Sequence, residues 1–282
     1  MEFERVLNKN NFASGSALLN LYMICMPFES ALLGFVLTVT DGGTNWGNLG
    51  YPGVYTSYDY GSAMTENREL IREKYSELKL EANFLKVTPD YLTSSVGDSK
   101  NGTYTTSLNI FTTPLWGNGS ATNFYVVRHT DFQQTTPATY QLTLNTSRGS
   151  LVIPQLGGSL TLSGRDSKWH VTDYKLGSIT LLYSTAEIFT WQKFEQKTAL
   201  AVYGGPGERH ELAVITPKPA NLVEGSGVTI KSINGTTILN WPTSSSRRVV
   251  KVGSLFIYIL DRNSAYNYWV PEVLQGDQLS QE

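Results

Sequence analysis

Three scarcities in the chain each remove a class of function. There is one cysteine, Cys25, in 282 residues, so no internal disulfide and no thiolate-based metal site can form, and neither metal nor cofactor is expected. Charge of one sign is lacking: 22 Lys+Arg stand against 24 Asp+Glu with no long single-sign run. Without a basic field there is no electrostatic footing for nucleic acid or an anionic membrane, and neither partner is expected. Long apolar runs are short in supply as well. The run ALLGFVLTVT, within residues 25–41, falls well below the ~20 residues a spanning helix needs. The start, MEFERVLNKN, places charges where a secretory leader needs an apolar core of ~7 residues or more, so no signal peptide is read there.

What the chain has in quantity is strand and turn chemistry. Aromatics make up 12 %, with 16 Tyr and 6 Trp, and there are 25 Gly. Rich in Ser and Thr but sparse in Lys and Glu, this composition predicts a mainly β protein. The length allows one large or two modest domains.

Residues 1–91 read differently from the rest. LLNLYMI is nearly unbroken apolar, the habit of a strand buried on both faces. In NRELIREKYSELKLEANFLKV the residues Ile71, Tyr75, Leu78, Ala82 and Leu85 recur at helical spacing, and Pro89 follows as a stop. Strand, loop and helix make one βα unit. From about residue 92 the period falls to two in FYVVRH, TYQLTL, SLVIP, SLTLSG, SITLLY, EIFTW, ALAVYGG, ELAVI, RVVKV and SLFIYIL. Short alternating segments broken by Gly, Pro, Asn and Asp predict an antiparallel sandwich or stacked-sheet domain over 92–270.

Two neighbouring loops carry the most chemistry. GGTNWGN and YTSYDYGSA combine glycines that permit close approach with Asn45, Trp46, Tyr55, Tyr58 and Tyr60. A stacking platform edged by amides suits a sugar ring, which has apolar C–H faces and a polar rim; packing over a core end is the competing reading. Asp59, Glu66 and Glu73 lie nearby, in a charge-rich loop and helix where solvation or a structural role is the simpler assignment. In GGPGERHEL, His210 lacks metal-motif spacing and reads as a strand residue after a turn, while His129 and His170 stand alone in strand-like runs. N-x-Ser/Thr sequons occur at Asn101, Asn118, Asn145 and Asn234 and fit glycosylated surface turns.

The blocks EFERVLNKNNFASG, LLNLYMI, GGTNWGNLGYPGVYTSYDYGSAMTENREL, REKYSELKLEANFLKV, IPQLGGSLTLSGRDSKWHVTDY, STAEIFTW and DRNSAYNYWVP resemble consecutive segments of fungal β-galactosidases of glycoside hydrolase family 35. The resemblance covers nearly the whole chain in the family's order. It implies that residues 1–91 are the end of a catalytic (β/α)8 barrel, that 92–270 are the family's second, β-rich domain, and that 271–282 begin a linker. Barrel sites lie on loops at the carboxyl ends of strands, and by resemblance Tyr22 and Tyr60 line a galactose pocket, with a β-galactoside as partner. The family's members are secreted; a monomer is expected here. Retaining enzymes of this kind need two carboxyls about 5 Å apart. Both family glutamates belong to motifs upstream of the matched segments, so no catalytic residue is assigned and the chain alone is expected to be inactive. The alternative is a non-catalytic carbohydrate-binding or scaffolding β-domain.

One segment interrupts the resemblance. In the family a single aromatic residue joins YMI to GGTNWG, whereas here residues 25–41 intervene. A tyrosine codon split after its first base by an unspliced intron yields Cys at the entry and Asp at the exit, which are Cys25 and Asp41, with the frame preserved. Residues 25–41 are therefore read as translated intron, the rival being a loop insertion of the sort barrels tolerate.

Overall fold

The computed structural model describes residues 2–16, 44, 56–57 and 62–270. Tyr22, Tyr60 and the segment 25–41 lie outside the described residues. Two helices precede the sheets, α1 (Glu2–Ala13) and α2 (Arg72–Lys86). A short 3-10 turn, Pro89–Thr93, follows α2 with its proline at the start, where a missing N–H costs nothing.

The strands along the chain are β1 (Ser95–Val96), β2 (Lys100–Asn101), β3 (Ile110–Trp116), β4 (Asn123–His129), β5 (Ala138–Tyr140) and β6 (Leu142–Thr146). Then come β7 (Gly149–Ile153), β8 (Leu160–Leu162), β9 (Ser167–Leu176), β10 (Ile179–Ser184), β11 (Glu187–Lys193) and β12 (Thr198–Gly204). The last are β13 (Arg209–Ile215), β14 (Ala220–Glu224), β15 (Thr229–Ile233), β16 (Thr236–Pro242), β17 (Arg248–Val252) and β18 (Leu255–Asp261), which runs into the single turn α3 (Arg262–Ala265).

Nine strands form one sheet in the order β1-β3-β4-β9-β10-β13-β16-β15, with β2 also paired to β3. Five form a second sheet, β11-β12-β18-β17-β14, and β5-β8 and β6-β7 make two small ribbons. The protein is thus mainly β and built on antiparallel pairing. Among the described strands the exception is β12 against β18, which runs parallel from Thr198↔Leu255 to Gly204↔Asp261.

Alternation along the strands sorts side chains between two cores. In β4, Phe124 and Val126 join the cluster between the two large sheets, while Tyr125 and Val127 join a second cluster under the ribbons. The same division separates Leu212 and Val214 from Ala213 in β13, as a period of two requires. The first cluster runs from Trp169 and Val171 through Leu239 and Trp241 to Val250 and Ile257, and it also takes in Phe12 of α1 and Phe84 of α2. A third cluster sets Leu80 of α2 against Phe189, Tyr203 and Leu260 on the outer face of the five-stranded sheet. Both helices are therefore packed into the β body. Each wholly buried apolar side chain contributes ~1.5–3 kcal/mol.

The face α2 buries differs from its apolar stripe. Ser76, Glu77, Leu78, Leu80, Glu81 and Phe84 are buried, whereas Ile71, Tyr75, Ala82 and Leu85 are only half-buried. Two glutamates inside a packed face require partners, and these come from α1 and the sheets.

Candidate functional site

Of the two Gly- and aromatic-rich segments, the described residues include those at which they meet. Thr44, from GGTNWGN, and Ser57, from YTSYDYGSA, form an antiparallel bridge. Thr44 Oγ1 also donates to Glu66 Oε2 at 2.6 Å. Asn45, Trp46, Tyr55, Tyr58 and Asp59 lie outside the described residues, as do Tyr22 and Tyr60. Glu73 projects into solvent on the first turn of α2.

Among the described residues, α1 and α2 are joined to the sheets by a buried ionic cluster. Lys9 Nζ lies 2.5 Å from Glu187 Oε1 and donates to the Ser167 carbonyl at 2.9 Å. Arg5 Nε reaches Glu77 Oε1 at 2.6 Å, and Arg262 Nε approaches the same oxygen at 3.3 Å. Arg262 Nη2 contacts Asp166 Oδ2 at 2.6 Å. Lys168 Nζ sits 3.0 Å from both Asp166 and Glu208. The Tyr266 hydroxyl donates to Glu77 and accepts from Arg5. Asn8 donates to Glu81 Oε2 at 3.1 Å. Four cations (Arg5, Lys9, Lys168, Arg262) thus meet four carboxylates (Glu77, Asp166, Glu187, Glu208) contributed by α1, α2, α3, β9, β11 and the turns before β9 and β13.

Burial sets the electrostatics, and proximity decides each outcome. For Asp166 burial alone would raise the pKa, but Arg262, Lys168 and Lys9 outweigh it and hold the carboxyl well below its usual range. Glu208 is held at about 2 in the same way, burial being overcome by Lys168 and His210. Glu77 is also lowered, against its burial, by Arg262 and Arg5. Glu81 goes the other way: burial pushes it well above the usual range, and Lys9 offsets this only in part. Glu4 is raised to about 7, chiefly by burial, with Glu77 adding to the effect. The side chains of Lys9, Asp166, Lys168, Glu187 and Glu208 are exposed by 2 % or less, so no substrate reaches them. This is a structural joint.

GGPGERHEL serves that joint. Glu208 Oε2 accepts from the Gly205 N–H at 2.6 Å and lies 3.1 Å from His210 Nε2. A Cβ on Gly204 would stand 2.0 Å from the His210 ring, and one on Gly205 would stand 2.6 Å from the Glu208 carboxylate. Both positions need glycine for this close approach. His210 is a strand residue. His170 in β9 is buried against the Thr185 carbonyl and the Tyr140 hydroxyl, and burial, His210 and Lys168 lower its pKa to about 3. His129 ends β4. Among the described residues no group of three or more His, Cys, Asp or Glu side chains is placed to hold a metal ion, and no helix is long and apolar enough to cross a membrane. The four sequon asparagines are all exposed; Asn118 and Asn234 lie in turns, whereas Asn101 and Asn145 lie within β2 and β6.

Sequence reasoning passed over the joint because its residues look like surface charge. Glu77 and Glu81 are spaced as a solvated helical pair would be, and Lys168 interrupts the apolar pattern of β9. A charge at an apolar-phase position, as Glu81 is between Leu78 and Phe84, was the available signal.

Comparison with known proteins completes the description. The family model described as "Beta-galactosidase, domain 2" matches residues 93–268, and that for "Glycosyl hydrolases family 35" matches 28–85. β-Galactosidase A of a Penicillium species is 54 % identical over 275 residues, covering 96 % of this chain and 26 % of the relative. β-Galactosidase A of Aspergillus niger is 52 % identical over 274 residues with the same coverage. The chain therefore spans about a quarter of the length of the curated relatives it matches.

Proposed function

The chain belongs to the β-galactosidases of glycoside hydrolase family 35, and from that premise we propose that it supplies the last βα unit of a catalytic barrel together with the β-rich domain that buttresses it. The whole protein cleaves terminal β-D-galactosides with retention, outside the cell, and needs no metal or cofactor. Residues 1–91 belong to the barrel, 92–270 to the second domain and 271–282 to the connection beyond. Tyr22 and Tyr60 face galactose; the bridge Thr44↔Ser57, which ties the GGTNWGN segment to the segment that carries Tyr60, is in keeping with the assignment of Tyr60. The four sequons carry glycans.

The observation that carries the reading is the buried joint. Balanced charges removed from water hold one geometry and tolerate no sliding, because a displaced partner leaves an uncompensated buried charge at about 3–5 kcal/mol. A joint of that kind suits a β-domain that fixes the end of a barrel. None of its carboxylates is free to act as acid/base or nucleophile, and no residue of the chain matches either catalytic motif. The 282 residues alone therefore do not cleave a galactoside. Incubation of the purified chain with an aryl β-D-galactoside tests this: release of the phenol at a rate above buffer, lost in Tyr60→Phe, would contradict it. A non-catalytic carbohydrate-binding β-domain is the rival function; galactose binding by the full chain that Tyr22→Phe and Tyr60→Phe both leave unchanged would favour it.

A further inference from the structure

Away from the barrel loops, the β-domain holds a cleft of about 330 Å³ lined by Leu156, Gly157, Gly158, Arg209, Thr229 and Asn240. Its volume lies at the small end of ligand pockets, ~300–1,000 Å³. The cleft is built from behind by one buried carboxylate. Glu211 accepts from the N–H groups of Gln155 and Leu156 at 2.6 and 2.9 Å, which fixes the loop leading to the two glycines. It also accepts from the Tyr183 hydroxyl at 2.8 Å and from Asn240 Nδ2 at 3.0 Å. With its amide so oriented, Asn240 presents Oδ1 to Arg209 Nη1 at 2.7 Å. Arg209 Nε and Nη2 have no acceptor among the described residues and remain available to the cleft. Gly157 has open space where a Cβ would stand, so a ligand can settle against bare backbone.

We propose that this cleft is a second sugar-binding site, on the β-domain, that takes one or two neutral hexose units through Arg209, Asn240 and Thr229. Adjacent hydroxyls of a sugar both donate and accept, and the cleft offers the matching set: guanidinium N–H donors, a threonine hydroxyl and glycine backbone, with Leu156 as apolar surface for a C–H face. Neutrality follows from Glu211. The charge of Arg209 is offset one amide away, so the cleft has no net positive field to favour a carboxylate or phosphate. The choice of galactose as probe rests on the family reading; the geometry of the cleft does not.

The test is protein-observed NMR on the full 282-residue chain, titrated with D-galactose and separately with D-galacturonate. The expected result is saturable shifts of the Gly157, Gly158, Arg209 and Thr229 amides at millimolar affinity, weakened about tenfold or more in Arg209→Ala, with the two sugars binding within about threefold of each other. Thr229→Trp, a change at an exposed strand position, fills the cleft and should abolish the shifts without unfolding the sheet. Three outcomes overturn the site: galactose shifts confined to residues 42–60, which would leave the family reading intact; galacturonate binding about tenfold tighter than galactose; or shifts at the cleft that both variants retain.

Discussion

Replacing Lys9 by Met removes one positive charge from the joint while keeping the length of the side chain. The Nζ it deletes is wholly buried and sits on Glu187 Oε1 at 2.5 Å and the Ser167 carbonyl at 2.9 Å. Of cations Glu187 would keep Lys168 at 3.6 Å and Arg262 at 3.9 Å, both engaged more closely by Asp166, and its Oε1 would keep the Trp169 N–H at 3.4 Å. Leaving a buried carboxylate short of a cation costs about 3–5 kcal/mol. At a urea dependence of about 2–3 kcal/mol/M this lowers the unfolding midpoint by about 1–2.5 M. Glu187→Gln alone should be destabilising for the converse reason. Combined, the two substitutions restore the balance of charge, so the double variant should be less destabilised than the sum of the single ones, with a coupling of about 1–3 kcal/mol. Urea unfolding of the four proteins at neutral pH measures it. Single losses under about 1 kcal/mol that simply add would show that Lys9 and Glu187 behave as a solvated pair, and the reasoning would fail.

Other outcomes follow from single residues. Glu4 has its pKa raised to about 7; a carboxyl raised on folding stabilises fully below its unfolded value near 4.5 and loses that contribution as pH climbs through about 7. Stability should therefore fall between pH 5 and 8 by about 1 kcal/mol, a figure reduced for partial exposure, and Glu4→Gln should flatten that slope in pH-dependent thermal unfolding. Expression through a eukaryotic secretory route with an added leader should place glycans at Asn101, Asn118, Asn145 and Asn234, read as a stepwise mass loss on deglycosylation. Amplifying the transcript across codons 24–42 should give a product lacking the segment for residues 25–41; a uniformly longer product would make that segment an ordinary insertion.

How much of this was legible in the sequence depends on where water is. The segment FYVVRH announces β4 because its two faces enter two different apolar cores, and EIFTW, ALAVYGG and SLFIYIL announce β11, β12 and β18 in the same way. Around His170 a strand-like run was legible but not the full length of β9: Lys168, His170 and Asp173 break its pattern, yet they are buried, paired respectively with Asp166 and Glu208, with Tyr140 and Thr185, and with Ser147. β3 was missed because Pro114 reads as a breaker. It is tolerated because it pairs with Tyr125 of β4 and, on the other edge, falls between the residues paired with β2 (Phe111, Thr112) and β1 (Leu115, Trp116), where its carbonyl accepts from the Gly97 N–H at 2.9 Å and no N–H is required of it. The stripe on α2 was legible as a helix but not as to face, since partners a hundred residues away decide that Glu77 and Glu81 go inward. For the site, the two loops could be read from glycine and aromatic chemistry. The joint was passed over because a buried charge and a solvated one are spelled alike, and its signal was confined to the place of Glu81 in the apolar phase of α2.

The measurement that bears most directly on the β-domain as a rigid buttress is native-state hydrogen exchange of the intact chain. Rigid docking through the joint requires the amides of Leu78 to Phe84 in α2 to open only with those of β4 and β9, at one common free energy, and to lose protection together in Lys9→Met. Amides of α2 that exchange several kcal/mol more easily than the sheet would mean that the helix opens independently, and the buttress would not exist.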